Sequence, residues 1–230
     1  MVNNTPIPFH NIDTVLLDMD GTLLDLHFDD HFWQEHVPQR YAEYNRLSLK
    51  AAKNILTPKF KEMEGTLEWY CVDFWSKELQ MNIPELKAEV AHLIAIHDGV
   101  LHFLTALHQL QKKVYLVTNA HEKVLDLKME KTQLHHQFDR LISSHSFGLP
   151  KEEPDFWHKL VETHFFEPDK TLFIDDSLAV LRSAQCFGIK YLYTIHKPSS
   201  HKPSRITTDF PMIHSFFEIT PETNTHENRR

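Results

Sequence analysis

The sequence predicts a doubly wound α/β fold, in which helices cover both faces of a parallel sheet. Short apolar runs typical of buried parallel strands alternate along the chain with segments whose apolar residues recur at helical spacing. One long segment, residues 29–97, interrupts this alternation and has no convincing strand pattern. We therefore expect a sheet core with a helical insertion.

Four apolar runs are predicted to be buried strands of the core, and a fifth run is a weaker candidate. The four runs are residues 14–18, 114–118, 171–175 and 190–195, and the weaker one is 140–143. Four helices are predicted between and after these runs, and Gly188 should end the last of them. Their apolar positions are Val100, Leu101, Leu104, Leu107 and Leu110; Val124, Leu127 and Leu134; Phe156, Trp157, Leu160 and Val161; and Leu178, Leu181, Ala184 and Phe187.

The insertion, residues 29–97, is interpreted as a helical cap domain, with breaks expected at Pro58, Gly65 and Pro84. The core is then discontinuous and comprises residues 1–28 and 98–230. Residues 197–205 are rich in proline and serine and should form a loop. The polar stretch 220–230 should be frayed.

Composition limits the possible partners and the compartment. The net charge of -8 offers no dense basic surface, so we expect no polymeric nucleic acid partner. Two cysteines, Cys71 and Cys186, favour neither a disulfide framework nor a cysteine zinc cluster. The N-terminus lacks the pattern of a signal peptide, and no apolar run approaches the roughly 20 residues that span a membrane. These features predict a soluble, cytoplasmic protein without a membrane partner.

Polar residues follow three of the predicted strands at the point where each strand ends. Asp18 and Asp20 end the first, Thr118 and Asn119 end the second, and Asp175-Asp176 ends the third. Ligands of open α/β sheets bind at the carboxyl ends of the strands, so these groups should meet in one crevice. Four carboxylates gathered there repel each other, and a hard cation such as Mg²⁺ relieves that repulsion.

The same groups suggest phosphoryl transfer. A carboxylate can attack phosphorus and form an aspartyl phosphate, and Asp18, at the end of its strand, is the candidate nucleophile. Asp20, two residues later, is placed to protonate the leaving oxygen and then to activate water, and Gly21 permits a tight turn. Thr118 and the backbone of Asn119 could bind phosphate oxygens, together with a helix that begins near Ala120. Lys151 is the candidate cation for the developing charge.

The order of these motifs resembles the haloacid dehalogenase (HAD) superfamily. The first motif is Asp18-Met19-Asp20-Gly21-Thr22-Leu23, followed by Thr118-Asn119, Lys151 and Asp175-Asp176. The resemblance implies a Rossmann-like core and room for a helical cap between the first two motifs. It also implies Mg²⁺ held by the Asp18 carboxylate, the Asp20 carbonyl and Asp176, with Asp175 acting directly or through water.

Further segments resemble bacterial purine 5′-nucleotidases of this superfamily, which act on GMP and IMP. They are residues 13–38, Trp69-Tyr70-Cys71, Asp73-Phe74-Trp75, Thr118-Asn119-Ala120-His121, Ser144-His145-Ser146-Phe147-Gly148 and Pro150-Lys151-Glu152. The resemblance implies a small phosphorylated metabolite as partner, namely a purine mononucleotide. Aromatic residues of the cap either stack on its base or form the cap's own core.

Other functions remain open on the motifs alone. A phosphatase for phosphoglycolate or a sugar phosphate shares the same residues, and a phosphosugar mutase also keeps both acids. Asp20 argues against a haloacid dehalogenase. Dehalogenases generally lack this second acid, because they have no alkoxide leaving group to protonate. A regulatory binding module on the same scaffold is the non-enzymatic alternative.

Overall fold

A computed structural model of the chain describes residues 7–222 and places six parallel strands in one sheet. The strand order is β3-β2-β1-β4-β5-β6, with helices on both faces, which confirms the predicted doubly wound, Rossmann-like α/β fold. The strands are β1 (Thr14–Leu17), β2 (Lys113–Thr118), β3 (Arg140–Ser143), β4 (Thr171–Ile174), β5 (Tyr191–Ile195) and β6 (Met212–Ile213).

All five predicted strands are present, each within one residue of its predicted ends. The sixth, β6, was not predicted. It has only two residues and pairs with the end of β5 through Thr194 and Ile195. A strand this short shows no hydrophobic period, so its position depends on a neighbour that the local sequence does not reveal.

Eleven α-helices lie within the described residues, and the first six follow one another between β1 and α7. They are α1 (His27–His31), α2 (Val37–Asn45), α3 (Leu49–Met63), α4 (Leu67–Tyr70), α5 (Val72–Leu79), α6 (Ile83–Glu89), α7 (Val100–Gln109), α8 (Glu122–Thr132), α9 (Pro154–Thr163), α10 (Leu178–Phe187) and α11 (Phe216–Ile219). We call α1–α6 the helical segment. The expected helix end at Gly188 is confirmed, because this residue caps α10 in the left-handed conformation.

One predicted break in the helical segment is wrong. Helix α3 runs through Pro58 without ending. Both Pro58 and Asn54, whose carbonyl loses its helical partner, are exposed, so water can hydrate the freed oxygen. The other two positions behave as expected: Gly65 turns the chain after α3 with φ +83°, and Pro84 lies in the first turn of α6.

The sheet separates two apolar clusters because successive strand side chains point to opposite faces. Along β1, Val15 and Leu17 belong to one cluster and Leu16 belongs to the other. The first cluster continues into the helical segment through fully buried residues such as Phe32 and Trp75. The segment is therefore packed onto the same face of the sheet as α7 and α8.

Residues 197–205 carry no helix or strand, as expected for a loop. The predicted fraying of residues 220–230 concerns positions that lie mostly outside the described range. Within residues 7–222, none of the helices is long and apolar enough to cross a membrane.

Candidate active site

The carboxyl ends of β1, β2 and β4 form the floor of a crevice. Strand β1 lies between the other two, and Leu17 pairs with Leu116 on one side and Ile174 on the other. This register brings together the polar residues that follow or end the three strands, as the sequence predicts. All seven predicted site residues line one cavity of about 1030 Å³, namely Asp18, Asp20, Thr118, Asn119, Lys151, Asp175 and Asp176. A space of this size can enclose a small-molecule ligand.

Lys151 lies at the centre of the site. Its Nζ is 2.5 Å from Asp18 Oδ1, 2.7 Å from Asp175 Oδ2 and 3.0 Å from the Val117 carbonyl oxygen. Only 2% of the residue is exposed. Burial alone lowers the pKa of Lys151, but the Asp175 and Asp18 carboxylates outweigh it and raise the pKa above its usual range. The ammonium therefore stays charged beside both acids.

The backbone around Lys151 is held by side chains from other elements. Its N–H donates to Asn119 Oδ1 at 2.9 Å, and its carbonyl accepts from Trp157 Nε1 at 3.0 Å. Asn119 Nδ2 in turn donates to Glu152 Oε2 at 2.9 Å, while the Tyr70 hydroxyl donates to Glu152 Oε1 at 2.8 Å. The side chain of Asn119 thus positions Lys151.

Three carboxylates form a group suited to a hard cation. Asp18, Asp175 and Asp176 each offer an oxygen within 4.8 Å of the other two. Burial raises the pKa of Asp175 to about 7 against the opposing charge of Lys151, and burial with the neighbouring acids raises the pKa of Asp176 well above its usual range. Asp18 Oδ2 is buried and has no hydrogen-bond partner within residues 7–222. A bound cation would supply that partner and relieve the repulsion, so the donor set fits Mg²⁺.

The turn after β1 requires a glycine. Gly21 has φ +80°, and a Cβ atom on it would lie 2.8 Å from both Cγ and Oδ2 of Asp176. Any larger residue would push against this carboxylate. Gly21 therefore allows the loop that carries Asp20 to pack against the acid at the end of β4.

Asp20 is paired with a different lysine from the one that contacts Asp18. Its Oδ1 is 2.6 Å from Lys128 Nζ, and the same Nζ is 2.6 Å from Asp29 Oδ2. Asp29 Oδ1 is in turn 2.7 Å from Lys87 Nζ. Lys128 and Lys87 are only 1% and 3% exposed. A buried chain of alternating charges therefore connects Asp20 to α6 of the helical segment.

Asp20 can exchange a proton near neutral pH. Burial raises its pKa to about 6, Lys128 opposes this shift, and the charges of Asp29 and Asp18 add to it. A carboxyl group whose pKa lies near the working pH suits general acid–base catalysis. The two acids of the first motif are thus distinguished by their partners.

Thr118 faces the cavity, and its hydroxyl oxygen accepts a hydrogen bond from Ala120 N–H at 3.0 Å. The following helix, α8, begins at Glu122 with His121 as its N-cap, two residues later than the expected start near Ala120. The backbone N–H groups next to Thr118 therefore belong to the loop between β2 and α8.

Comparison with known proteins settles the family. A family model described as haloacid dehalogenase-like hydrolase matches residues 12–188, which include every motif described above. The chain belongs to this family. The predicted superfamily, the hydrolase class and the fold of this HAD-like hydrolase are thereby confirmed.

Two curated relatives span almost the whole HAD-like chain. The GMP/IMP nucleotidase YrfG of Escherichia coli is 37% identical over 215 residues, which cover 94% of this chain and 97% of the relative. A phosphoglycolate phosphatase of Aliivibrio fischeri is 22% identical, with 89% and 96% covered. Among solved structures, a HAD phosphatase from Thermococcus onnurineus superposes with a TM-score of 0.75 at 21% identity, covering 90% and 96% of the two chains. This likeness confirms the fold.

Sequence reasoning missed several residues of the HAD-like site. Lys128 and Lys87 each follow a buried apolar residue by one helical turn, Val124 and Ile83, and so lie on apolar faces. A lysine on an apolar helix face is the sequence feature that could have revealed these two residues. Arg205 donates from Nη1 to the Asp176 carbonyl, and its Nη2 lies 3.8 Å from Asp176 Oδ2. It belongs to the segment predicted only as a loop, and no local pattern marks it.

Proposed function

We propose that this hydrolase releases phosphate from a purine 5′-mononucleotide, with GMP and IMP as preferred substrates, through an aspartyl phosphate on Asp18. The observation that carries the proposal is the contrast between two acids of one turn. Asp18 is ion-paired through one oxygen, and its other oxygen is buried with no partner in the described part of the chain. Asp20, beside Lys128, has a pKa of about 6. The surroundings of Asp18 suit a nucleophile, and those of Asp20 suit a general acid and base.

The reaction then has two steps. In the first, an Asp18 oxygen bonds to phosphorus while the bond from phosphorus to the nucleoside oxygen breaks, and Asp20 gives its proton to that oxygen. In the second, a water oxygen bonds to phosphorus, Asp20 takes a proton from the water, and the bond to Asp18 breaks. Asp18 and Asp20 return to their starting states, and free phosphate leaves.

The phosphate oxygens need donors and positive charge. Thr118 and the backbone N–H of Asn119 are proposed to donate to them, since both residues line the cavity next to Asp18. Lys151 is proposed to stabilise the negative charge that develops during transfer, because it is buried, charged and in contact with Asp18.

Magnesium is the proposed cofactor, held by the Asp18 carboxylate, the Asp20 backbone carbonyl and Asp176. Asp175 already contacts Lys151 through Oδ2 and accepts from Ser177 N–H through Oδ1 at 2.7 Å, which supports an indirect role through water. When bound, the cation offsets the repulsion between the Asp18 carboxylate and the anionic phosphate.

Aromatic side chains divide into two sets that bear on substrate choice. Trp33 and Trp69 line the cavity with their ring centroids 5.9 Å apart, and Phe60 lines it beside them. Trp75 and Phe32 are fully buried and form core. We propose that the first set contacts the purine base, which is consistent with the 37% identity to a GMP/IMP nucleotidase.

Residues 29–97, which include most of the helical segment, are proposed to form the cap domain, and residues 1–28 and 98–230 the core. Residues of the segment and of the strand ends line the same cavity, for example Trp69 and Asp18. A cap in this place would exclude water from the reacting phosphate.

Phosphate release from a panel of monoesters tests the proposal. With Mg²⁺ present, GMP and IMP should give a kcat/KM at least about tenfold above phosphoglycolate and a hexose phosphate. Preference for either of these would keep the chemistry and refute the purine assignment. Conversion of a sugar phosphate to an isomer would indicate a mutase. No turnover of any ester would leave a binding role as the better account.

A further inference from the structure

A second group of ligand-type side chains lies beside the carboxylate site. Cys71, His121 and His145 each offer a ligand atom, and these atoms all lie within 4.8 Å of one another. The two imidazole rings meet edge to face, with centroids 4.9 Å apart. All three residues are partly shielded from solvent. The group contains the soft and borderline donors, thiol and imidazole, that the carboxylate site lacks.

The three residues come from distant parts of the chain. Cys71 lies between α4 and α5 of the helical segment, His121 caps α8 after β2, and His145 follows β3. Their neighbours Tyr70 and Ala120 line the active-site cavity. The group is therefore located where the helical segment meets the sheet core, next to the crevice.

An unpartnered buried nitrogen points to a ligand. His145 Nε2 is buried and has no hydrogen-bond partner among the described residues. Buried polar atoms are rarely left unsatisfied, because the loss of hydration is not compensated. An ion bound to this nitrogen would compensate it.

The other two residues, His121 and Cys71, can each offer a lone pair to the same ion. His121 Nδ1 accepts from Lys123 N–H at 3.3 Å, and since a neutral imidazole has one free lone pair, zinc binding through either ring nitrogen would replace this long hydrogen bond. Its Nε2 lies 3.7 Å from Asp73 Oδ2 and 3.8 Å from Glu122 Oε2. Cys71 Sγ accepts one N–H, from Phe74 at 3.3 Å. Asp73 is itself paired with Lys123 at 2.6 Å, so the surrounding charges include one cation and two acids.

We propose that Cys71, His121 and His145 bind one Zn²⁺ ion that joins the helical segment to the core. One thiolate and two imidazoles form a set that zinc prefers and magnesium avoids, and a water molecule can complete the tetrahedron. Binding releases the Cys71 thiol proton to solvent. Tetrahedral bonds of about 2.0–2.3 Å place ligand atoms about 3.5 Å apart, so no pair of these atoms has to approach by more than about 1 Å.

Zinc binding to the whole, metal-stripped chain tests the site. In excess Mg²⁺, competition with a chromophoric chelator should give one Zn²⁺ per chain. Cys71→Ser keeps an acceptor for the Phe74 N–H but removes the soft ligand, and both it and His145→Gln should weaken binding at least about tenfold. Cys186→Ser, which alters an exposed cysteine on α10, should leave the affinity unchanged.

Cobalt provides a second readout that does not depend on those variants folding. Co²⁺ bound to Cys186→Ser, whose remaining cysteine is Cys71, should show thiolate-to-metal charge transfer in the near ultraviolet. Absence of this band, absence of stoichiometric Zn²⁺, or unchanged affinity in both folded site variants would each overturn the proposal. The measurements use no substrate, so their outcome is separate from that of the proposed phosphatase activity.

Discussion

At the scale of single residues, two acids two positions apart have different surroundings. Asp18 is paired with Lys151 inside the core, and Asp20 is paired with Lys128, which also holds Asp29. Both lysines are buried and Asp20 is partly buried, so removing one partner leaves a poorly compensated charge. Lys151 is therefore expected to stabilise the charged form of Asp18, and Lys128 that of Asp20.

Replacing Lys128 by methionine should change the pH dependence of catalysis. Lys128 lowers the pKa of Asp20, so its removal raises that pKa above the present value of about 6. Protonated Asp20 then persists to higher pH, and the alkaline limb of the kcat/KM profile should move upward. Lys131→Met, an exposed lysine on the same helix, is the matched control. An unmoved limb in a folded Lys128→Met protein would remove Lys128 from the account.

The sequence predicts which acids meet in the crevice, but not that Lys128 is paired with Asp20. Asp18, Asp20 and Asp175 follow apolar runs, and strand ends meet in α/β sheets, so their convergence could be predicted. Lys128 reaches Asp20 only because α8 packs beside the turn after β1. Such a contact depends on the packing of elements far apart in the chain.

At the scale of elements, the turn after β1 depends on space as well as on backbone conformation. Gly21 and Gly65 have nearly equal φ angles, +80° and +83°. A Cβ at Gly21 would meet Asp176 at 2.8 Å, whereas one at Gly65 would meet nothing within 4 Å. Comparing substitutions at the two positions therefore distinguishes the effect of backbone strain, which both share, from that of a steric clash, which occurs only at Gly21.

Gly21→Ala and Gly65→Ala should both lower stability by about 1–3 kcal/mol through the left-handed backbone. Only Gly21→Ala should also reduce kcat/KM, at least about tenfold, because the added methyl group displaces the Asp176 carboxylate. Thermal unfolding and phosphate release measure the two effects. Equal activity in the two variants would contradict a role for this close packing.

Element prediction succeeded where a pattern extended over several residues. The strands β1, β2, β4 and β5 are largely buried apolar runs, whereas the first two residues of β3 are exposed, and α10 ends at a glycine as expected. Pro58 was misjudged because its exposure, which makes the lost helical bond tolerable, is a property of the packed molecule. The three residues of the proposed zinc site lie in three separate segments, and their proximity follows from the fold alone.

At the scale of the whole molecule, the cavity between the helical segment and the strand ends brings together acids, cations and aromatic rings. Chelation should reveal which metal the chemistry needs. EDTA should abolish turnover, and Mg²⁺ added alone should restore it, because the carboxylate group prefers a hard cation. Full activity in chelator would contradict the proposed role of Mg²⁺. Restoration by Zn²⁺ but not by Mg²⁺ would show that Mg²⁺ is not the metal bound by Asp18 and Asp176.

The most direct test of the central claim is phosphate release from GMP by Asp18→Asn in Mg²⁺. Asparagine has nearly the same shape but is a poor nucleophile, so turnover should fall below about one thousandth of wild type while the protein remains folded. Circular dichroism of the variant checks the fold. A folded Asp18→Asn protein with turnover like that of wild type would contradict the aspartyl phosphate and refute Asp18 as the nucleophile.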